Sequence, residues 1–433
     1  MDIDNIKKYL VDFQSRDFDI KPRALNIRES SKIQTIIGAR RVGKTYLLFN
    51  KIRDIESSGI SRKQVIYVNF EDPALNEIKY DEIKEIISAQ WSLYPEIIKK
   101  ELFLFIDEPQ VIPKWELAVR SIYDNYKCNI FITGSSSRLL SKEIATSLRG
   151  RSLTVMLLPL SFKEFLSFKG FTADTKKLSS ADTAKISNYF EGYMKFGGYP
   201  EVVLEKDNNE KLRILKDYMD MTVYKDLVER YGLKNPSLIK WLIRAIVSSA
   251  AKELSLNSLY LSLKSQGLKV SKNTLYSYFG ALEDSLFVFA LRKFERSSKV
   301  EGLSIPKVYL DDIGFINLFS LENYGQRIEN IALLHLLMLK NKNPIMDVNY
   351  WKSQEGKEVD FIVSEGKKAV SAIQVCYSLS ENQTREREIN SLVAAMEHFN
   401  LKTGIIITKD ESREIVRQKK TIKLIPIWKW LLE

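Results

Sequence analysis

The sequence predicts an α/β fold in which helices cover both faces of a parallel sheet. Three observations in the first third of the 433-residue chain favour it. Apolar runs alternate with helix-like segments, a glycine-rich turn joins the first run to a helix, and a later run ends in two acids. Strands that are apolar throughout and separated by helices are typical of a sheet buried on both faces.

Five apolar runs are the predicted strands of this sheet. They cover residues 33–37, 64–70, 102–107, 129–134 and 152–158. In sheets of this kind, ligands bind beyond the carboxyl ends of the strands. Polar side chains that follow these runs are therefore the first candidates for a functional site.

The turn after the first run carries a phosphate-binding pattern, G-x-x-x-x-G-K-T, over residues 38–45. Gly38 and Gly43 allow the backbone to wrap closely around a polyphosphate, where a side chain would obstruct it. Lys44 then reaches the β- and γ-phosphates, and the hydroxyl of Thr45 binds Mg²⁺. The predicted nucleotide contacts are Gly38, Ala39, Arg40, Arg41, Val42, Gly43, Lys44, Thr45 and Tyr46.

Residues 46–58 read as an amphipathic helix that Gly59 ends. The positive N-terminal end of this helix would point at the phosphates. Strand, loop and helix thus occur in the order that a phosphate-binding loop requires.

The third run ends in the acids Asp107 and Glu108. A nucleotide loop needs carboxylates to hold its metal ion and to activate water. We expect Asp107 to bind Mg²⁺, directly or through a water molecule, and Glu108 to orient and polarise the attacking water. The predicted ligands are therefore a nucleotide polyphosphate and Mg²⁺.

The fourth run ends in Thr133, and Ser135, Ser136 and Ser137 follow it. Either Thr133 or Ser135 is expected to contact the γ-phosphate or the attacking water. Ser136 and Ser137 fit a turn that caps the next helix equally well.

Arg149 and Arg151 flank Gly150 just before the last run. An arginine here could reach the γ-phosphate of a neighbouring subunit and stabilise the charge that phosphoryl transfer develops. Alternatively, the pair are favourable cations at the end of a helix that Gly150 stops. The residues themselves leave both interpretations open.

Together these motifs resemble the archaeal and bacterial AAA-type ATPases. The segments that carry the resemblance are residues 38–45, Asp107-Glu108-Pro109-Gln110, Gly134 to Ser137, Gly150-Arg151 and Pro159 to Phe165. The resemblance implies ATP binding, ATP hydrolysis and assembly into homo-oligomers. It favours Arg151 over Arg149 as the residue that acts across subunits, and it makes Gln110 either a reporter of nucleotide state or a surface glutamine.

The spacing of the strands adds to this resemblance. The run 64–70 intervenes between the phosphate loop and the acidic strand. This order resembles the additional-strand class of P-loop ATPases, in which the acidic strand is not adjacent to the loop strand in the sheet.

The amino-acid composition limits which partners, which kinds of catalytic or metal site and which compartment are expected. The net charge of +11 suggests an anionic partner, nucleic acid or a membrane surface, although scattered lysines would give the same total. Cys128 and Cys376 form no metal or disulfide pattern, and two histidines disfavour Ser-His-Asp chemistry. The N-terminus does not read as a signal peptide and no apolar run approaches membrane-spanning length, so we expect a cytoplasmic protein without membrane contact.

The middle of the chain reads as a linker followed by a DNA-binding module. Residues 166–188 are rich in Lys, Ser, Thr and Ala and are predicted to be flexible. A tight turn in a helical lid is predicted at 197–200. Residues 237–295 read as a helix-turn-helix with a β-wing, in which helices 254–265 and 271–285 precede a hairpin.

Lys272, Asn273 and Tyr276 stand at the start of the second predicted helix, where major-groove readers place their contacts. The segment 236–300 holds ten Lys and Arg against four acids. DNA is the expected partner, but a winged helix that only bridges domains fits the pattern as well.

The last third resembles the restriction-endonuclease-like PD-(D/E)XK fold. The predicted order is helix 324–340, strands 346–351, 358–363 and 369–376, helix 384–399, strand 403–408, helix 411–418 and strand 421–427. The resemblance makes Glu329 and Asp360 metal ligands. However, Gln374 and Cys376 stand where the second carboxylate and the lysine belong, and a neutral amide binds Mg²⁺ poorly. A degenerate domain kept for DNA binding or assembly is expected.

The predicted domains are an AAA-type ATPase at 1–165, a linker and helical lid at 166–235, a winged helix at 236–300 and a nuclease-like domain at 301–433. We expect ATP turnover coupled to DNA binding or remodelling. One alternative is a nucleotide-controlled protein-interaction switch. The other is an ATP-coupled nuclease in which Glu329, Asp360 and Glu358 hold the metal.

Overall fold

The computed structural model of the chain describes residues 2–27, 30–75, 77–135, 148, 150–172, 177–295, 297–319 and 323–433. The chain divides into two compact units, Met1–Leu157 and Leu158–Glu433.

The first unit contains a five-stranded sheet. Its helices and strands are α1 (Ile3–Gln14), β1 (Ile33–Ile37), α2 (Lys44–Ser57), β2 (Val65–Asn69), α3 (Glu85–Leu93), β3 (Leu102–Asp107), α4 (Trp115–Asn125), β4 (Cys128–Gly134) and β5 (Ser152–Met156). The strand order is β2-β3-β4-β1-β5, and every neighbouring pair is parallel. The predicted parallel sheet is confirmed, and β4 separates the acidic strand from β1 as expected. All residues of β1 and β3 are buried, so both faces of the sheet are covered.

The register of the strands brings their carboxyl ends to one edge of the sheet. Asn69 at the end of β2 pairs with Asp107 at the end of β3. On the other side of β4, Thr133 pairs with Ile36 and Gly134 with Ile37. The phosphate loop that follows β1 therefore lies at the same edge as the two acids.

The second unit contains two sheets and most of the helices. Its elements are α5 (Phe162–Phe168), α6 (Ser180–Phe196), α7 (Pro200–Leu204), α8 (Asn208–Met221), α9 (Pro236–Ser248), β6 (Lys252–Glu253), α10 (Leu256–Ser265), α11 (Lys272–Asp284), β7 (Val288–Leu291), α12 (Ser298–Leu303), β8 (Lys307–Leu310), α13 (Gly314–Asn317), α14 (Tyr324–Lys340), β9 (Met346–Lys352), β10 (Glu358–Glu365), β11 (Lys368–Val375), α15 (Asn382–His398), β12 (Thr403–Thr408), β13 (Arg413–Arg417), β14 (Lys420–Pro426) and α16 (Ile427–Trp430). One sheet has the order β6-β8-β7 and the other β13-β14-β12-β11-β10-β9.

The flexible linker predicted at 166–188 is wrong for most of its described residues. Helix α5 extends to Phe168 and α6 begins at Ser180. Both helices start with a capping box, in which a serine hydroxyl and an acid three residues later satisfy each other's backbone N–H groups. Ser179, one of the serines that suggested a flexible segment, is thus a helix N-cap.

The helix predicted at 411–418 is also wrong, because these residues form β13 and pair with β14. The two strands are joined by Gln418 and Lys419, which both have positive φ angles. Such a two-residue turn matches the twist of a hairpin. Ile415 and Val416 favour a strand, and the pairing outweighs the helix propensity of the neighbouring charged residues.

The two helices of the predicted helix-turn-helix are present as α10 and α11. Ser271 caps α11, since its hydroxyl accepts the N–H of Thr274 at 3.1 Å. Strand β7 pairs with β8 rather than with residues directly after it, and α12 lies between the two strands. The boundary predicted at residue 300 therefore falls within this small sheet.

The turn predicted at 197–200 is present and is fixed by a buried acid. Asp312 Oδ2 accepts the N–H of Gly198 at 2.6 Å, and its Oδ1 accepts the N–H of Gly314 at 2.7 Å. Gly197 has a φ of +78°, and a Cβ atom there would collide with the Asp312 carboxylate. The position therefore requires glycine for two independent reasons.

We predict that Gly197→Ala destabilises the protein by about 3 kcal/mol, because it adds a strained backbone to a collision with a buried carboxylate. The thermal unfolding midpoint of the full chain should fall clearly. Gly192→Ala is the matched control, since it lies on α6 and its new Cβ would meet no atom within 4 Å. A similar loss of stability in both variants would contradict the steric explanation.

Candidate functional site

The two glycines of the phosphate loop serve different purposes. Gly43 has a φ of +95°, a conformation that favours glycine. Gly38 is required for space, because a Cβ there would lie 2.5 Å from the carbonyl oxygen of Leu157 and 2.9 Å from Val42 Cγ2. The predicted need for both glycines thus has two separate physical causes.

Helix α2 begins at Lys44, two residues before the predicted start at Tyr46. No side chain among the described residues caps its N-terminus, where Gly43 is the N-cap. The N–H groups of a first helical turn lack intrahelical acceptors and bind anions well. The helix start therefore offers donors at the position that the sequence assigns to phosphates.

The ammonium group of Lys44 lies at the centre of the loop and is almost fully buried. It donates to the carbonyl oxygens of Gly38 and Ala39 at 3.1 and 3.2 Å. It also pairs with Glu108 Oε1 at 3.1 Å. The lysine and the acid that were predicted to act on the same nucleotide are therefore in direct contact.

The Asp107 carboxylate accepts hydrogen bonds from three hydroxyl groups. Thr45 donates to Oδ2 at 2.6 Å, Tyr67 donates to Oδ2 at 3.0 Å, and Thr133 donates to Oδ1. Burial raises the pKa of Asp107 and the charge of Glu108 adds to this, while the threonine hydroxyls oppose the rise. Hydroxyl and carboxylate oxygens are ligands that suit Mg²⁺, so Thr45 and Asp107 fit the predicted metal site.

Glu108 adopts an unusual backbone conformation, with φ 51° and ψ 50°. Such left-handed residues are uncommon outside glycine and cluster at functional sites. Its N–H donates to the Thr133 hydroxyl at 3.3 Å, the Ser135 hydroxyl donates to its Oε2 at 3.1 Å, and the Gln110 amide also donates to Oε2. Ser135 and Gln110 thus hold Oε2 of the side chain, while Lys44 contacts Oε1.

The Glu108 carboxyl is ionised in this arrangement. Burial alone would raise its pKa, but the charge of Lys44, the hydrogen bond from Gln110 and the charge of Arg40 together lower the pKa to about 2. A group that must accept a proton or polarise water has to be ionised, and Glu108 satisfies this condition.

Sequence reasoning missed two residues at this site. Tyr67 on β2 pairs with Phe105 on β3, and Phe105 lies two residues before Asp107 in that strand. The Tyr67 hydroxyl reaches the Asp107 carboxylate from there. The only sign of Tyr67 in the sequence was its position in an apolar run. Arg23 donates from Nη1 to the carbonyl oxygen of Val42 at 2.6 Å and holds the phosphate loop from outside. It stands before the first strand, where no pattern marked it.

Among the remaining residues predicted at this site, Arg40 acts on Glu108 through its charge. Arg40 forms an ion pair with Glu71 at 3.1 Å, Arg41 is exposed, and Tyr46 is 56 % exposed. Arg151 forms an ion pair with Asp124 at 3.0 Å. Ser136, Ser137 and Arg149 lie outside the described residues.

The predicted nuclease-like residues of the second unit partly come together. Glu329 and Asp360 converge, but both contact the ammonium group of Lys307, which sequence reasoning missed. Gln374 accepts the N–H of Asp360 at 3.3 Å and donates to Glu388 at 2.6 Å, so both ends of its amide have protein partners. A charged residue at the start of the apolar run 307–310 was the only available signal for Lys307.

The predicted DNA contacts lie on the surface of α11. Lys272, Asn273 and Tyr276 are all exposed, and the Lys272 ammonium lies 5.7 Å from the centre of the Tyr276 ring. Within the described parts of the chain, no helix is both long and apolar enough to cross a bilayer.

Three family models match successive parts of the chain. The model of an AAA domain matches residues 30–166. Two domains of unknown function follow, DUF8612 at residues 187–324 and DUF4143 at residues 324–430. The AAA match covers the parallel sheet and the phosphate loop.

Solved structures show weak similarity to the chain. Aeropyrum pernix Orc1 in complex with DNA is 13% identical, with a TM-score of 0.28, over 75% of this chain and 93% of that chain. Aquifex aeolicus DnaA bound to AMPPCP is 13% identical, with a TM-score of 0.25, over 64% of this chain and 85% of that chain. Similarity at this level carries no conclusion about ligands or activity.

Two curated relatives match over nearly their whole length. An uncharacterized protein of Haemophilus influenzae is 26% identical over 417 residues, 94% of this chain and 96% of that protein. The uncharacterized protein MJ1544 of Methanocaldococcus jannaschii is 38% identical over 412 residues, 93% of this chain and 88% of that protein. Residues 30–166 match the model of an AAA domain, and the chain as a whole belongs to the family of MJ1544.

Proposed function

We propose that the chain binds ATP with Mg²⁺, hydrolyses it, and uses the nucleotide state to control contact with DNA. The observation that carries this proposal is the convergence of Lys44, Thr45, Asp107 and Glu108 at one edge of the sheet. Contacts of 2.6 to 3.1 Å join Thr45 to Asp107 and Lys44 to Glu108. These four groups are the parts that phosphoryl transfer to water requires.

Each side chain has a distinct role in this mechanism. The N–H groups at the start of α2 and the Lys44 ammonium bind the β- and γ-phosphates. Thr45 and Asp107 would hold Mg²⁺, which when bound neutralises charge on the phosphates. Glu108 orients the attacking water and takes its proton, since it is ionised and held by Ser135.

Phosphate binding also changes the position of Lys44. In the structure its ammonium lies 3.1 Å from Glu108 Oε1 and compensates the charge of that carboxylate. A phosphate that attracts the ammonium weakens this pair and leaves the carboxylate available to water. Nucleotide binding and activation of the base are thereby coupled.

The proposal of DNA as partner rests on helices α10 and α11. Lys264, Lys269 and Lys272 are exposed, and the side chains of Asn273 and Tyr276 are exposed beside them. A winged-helix reader would place the start of α11 in the major groove. Phosphate contacts from lysines supply most of the affinity of such modules.

A protein-interaction switch is the second candidate, and one observation favours it. Leu261 on α10 and Leu268 in the following turn are 54 % and 49 % exposed. Exposed apolar side chains of this size fit a protein surface better than a phosphate backbone. The two candidates differ in whether salt weakens binding strongly.

The role proposed for Arg151 requires a neighbouring subunit. Its guanidinium pairs with Asp124 through Nε at 3.0 Å and Nη2 at 3.4 Å. To reach a γ-phosphate across an interface, it would have to exchange this carboxylate for the phosphate. Arg151 therefore stays a proposal that depends on oligomer formation.

We predict that Lys44→Ala lowers the affinity for ATP by on the order of 100-fold, because the phosphates lose their buried cation. Glu108→Gln should keep ATP binding and reduce turnover by on the order of 100- to 1000-fold, because a neutral amide cannot accept a proton. Nucleotide binding is measured by titration and turnover by phosphate release. Lys99→Ala, which removes an exposed lysine from the same unit, is the control and should behave as wild type.

Turnover that is unchanged in Glu108→Gln would remove Glu108 from its proposed role. ATP affinity that is unchanged in Lys44→Ala would contradict the proposed phosphate site as a whole.

We predict that Lys272→Ala weakens binding to double-stranded DNA by roughly 3- to 10-fold and lowers the salt dependence by about one phosphate contact. Binding is measured by fluorescence anisotropy at several salt concentrations, and ATP turnover is measured with and without DNA. Lys216→Ala, an exposed lysine on α8, is the control. Equal effects of both variants, or no salt-sensitive DNA binding at all, would favour the protein-interaction switch.

A further inference from the structure

The second unit contains a cluster of three carboxylates around one lysine. The Lys307 ammonium lies 2.7 Å from Glu358 Oε1, 2.8 Å from Asp360 Oδ1 and 3.1 Å from Glu329 Oε1. Lys307 is only 3 % exposed. The Tyr309 hydroxyl donates to the same Glu329 oxygen at 2.8 Å.

The cluster joins elements that are distant in sequence. Lys307 begins β8, Glu329 lies on α14, and Glu358 and Asp360 lie on β10. A second lysine, Lys352, forms ion pairs through its Nζ with Glu253 Oε1 on β6 at 2.9 Å and with Glu358 Oε2 at 3.5 Å. The charges thus tie the three-stranded sheet to the six-stranded sheet of the same unit.

The three carboxylates are those that the nuclease alternative assigned to a metal ion. In the structure the Lys307 ammonium already contacts an oxygen of each one. Burial alone would lower the pKa of Lys307, but Asp360 and Glu329 raise it well above the usual value, so the side chain keeps its charge. A divalent cation would therefore meet a fixed positive charge at the point where the oxygens converge.

Among the described residues beside the cluster, the nearest polar groups are not available as further ligands. The Gln374 amide is engaged by Asp360 and Glu388, and Asp360 Oδ2 accepts the N–H of Val375 at 2.9 Å. Burial raises the pKa of the Cys376 thiol to about 11, so it is not a thiolate. Within the described ranges, no group of three or more acids, histidines or cysteines is arranged to hold a metal ion.

We propose that the Lys307 ammonium is the permanent cation of this cluster and takes the position that a divalent metal would need. The second unit then carries a lysine-centred joint between two sheets instead of a metal-dependent cutting site. A divalent or trivalent cation gains access only when the charge at position 307 is removed. The proposal is independent of nucleotide turnover in the first unit.

Terbium luminescence tests this proposal in the full chain. Tb³⁺ prefers oxygen ligands, as Ca²⁺ does, and tyrosines close to a bound ion excite its emission; Tyr309 and Tyr350 are near this cluster. The parent is the wild-type chain, in which the substitution Asp360→Asn distinguishes binding at this cluster from any binding at Asp107. Terbium is titrated into the parent, into Lys307→Met and into each of these with Asp360→Asn added.

The parent should show no saturable emission that depends on Asp360. Lys307→Met should bind Tb³⁺ saturably, at concentrations on the order of 100-fold below any at which the parent responds, because the repelling charge is gone. Adding Asp360→Asn should abolish the gain. Lys352→Met is the matched control, since it removes a lysine beside Glu358 but leaves Lys307, and it should bind no better than the parent.

Saturable Tb³⁺ binding by the parent that Asp360→Asn removes would overturn the proposal, as would Mg²⁺-dependent DNA cleavage by wild-type protein that is lost in Asp360→Asn. A folded Lys307→Met protein without Tb³⁺ binding would overturn it too. Removing one partner from a buried ion cluster is costly. If Lys307→Met does not fold, Lys307→Met with Glu329→Gln replaces it, and this variant must still bind Tb³⁺ more tightly than the parent.

Discussion

The arrangement at the sheet edge depends on one carboxylate, that of Asp107. It receives hydroxyl groups from α2, β2 and β4, three elements that have no other reason to present a polar group to the same point. Burial makes the ionised form costly, and hydrogen bonds to a charged group contribute about 1.5 to 3 kcal/mol each. The acid therefore fixes the start of the loop helix against the ends of the strands.

The neighbouring ion pair has a second consequence for the site. Lys44 and Glu108 are both buried, and each would be a costly uncompensated charge if the other were absent. In the structure each of the two charges compensates the other, so a ligand that binds Lys44 would compete with an existing contact. Arg23 supports the loop nearby by donating to the Val42 carbonyl.

Local patterns in the sequence were sufficient to predict the parallel sheet of the first unit. The strands, the glycine-bounded turn and the acid pair each depend on residues close together in the chain, and parallel strands bring their ends to a common edge. Contacts between distant segments were not predictable. Lys307 looked like an ordinary residue in a strand, because nothing in its neighbourhood indicates that α14 and β10 direct three acids at it. The strand at Arg413–Arg417 was missed because its pairing partner, β14, overrides the helix propensity of its charged residues.

The contact between the turn at Gly197 and the acid at Asp312 limits how the chain can be divided. Gly198 and Asp312 are 114 positions apart, yet the backbone of one satisfies the buried carboxylate of the other. A fragment that stops or begins between them would bury an acid without its donors, or expose an apolar surface that the turn normally covers. Truncated forms intended to isolate the helical middle of the protein should therefore retain both ends of this stretch, from before α6 to beyond α13.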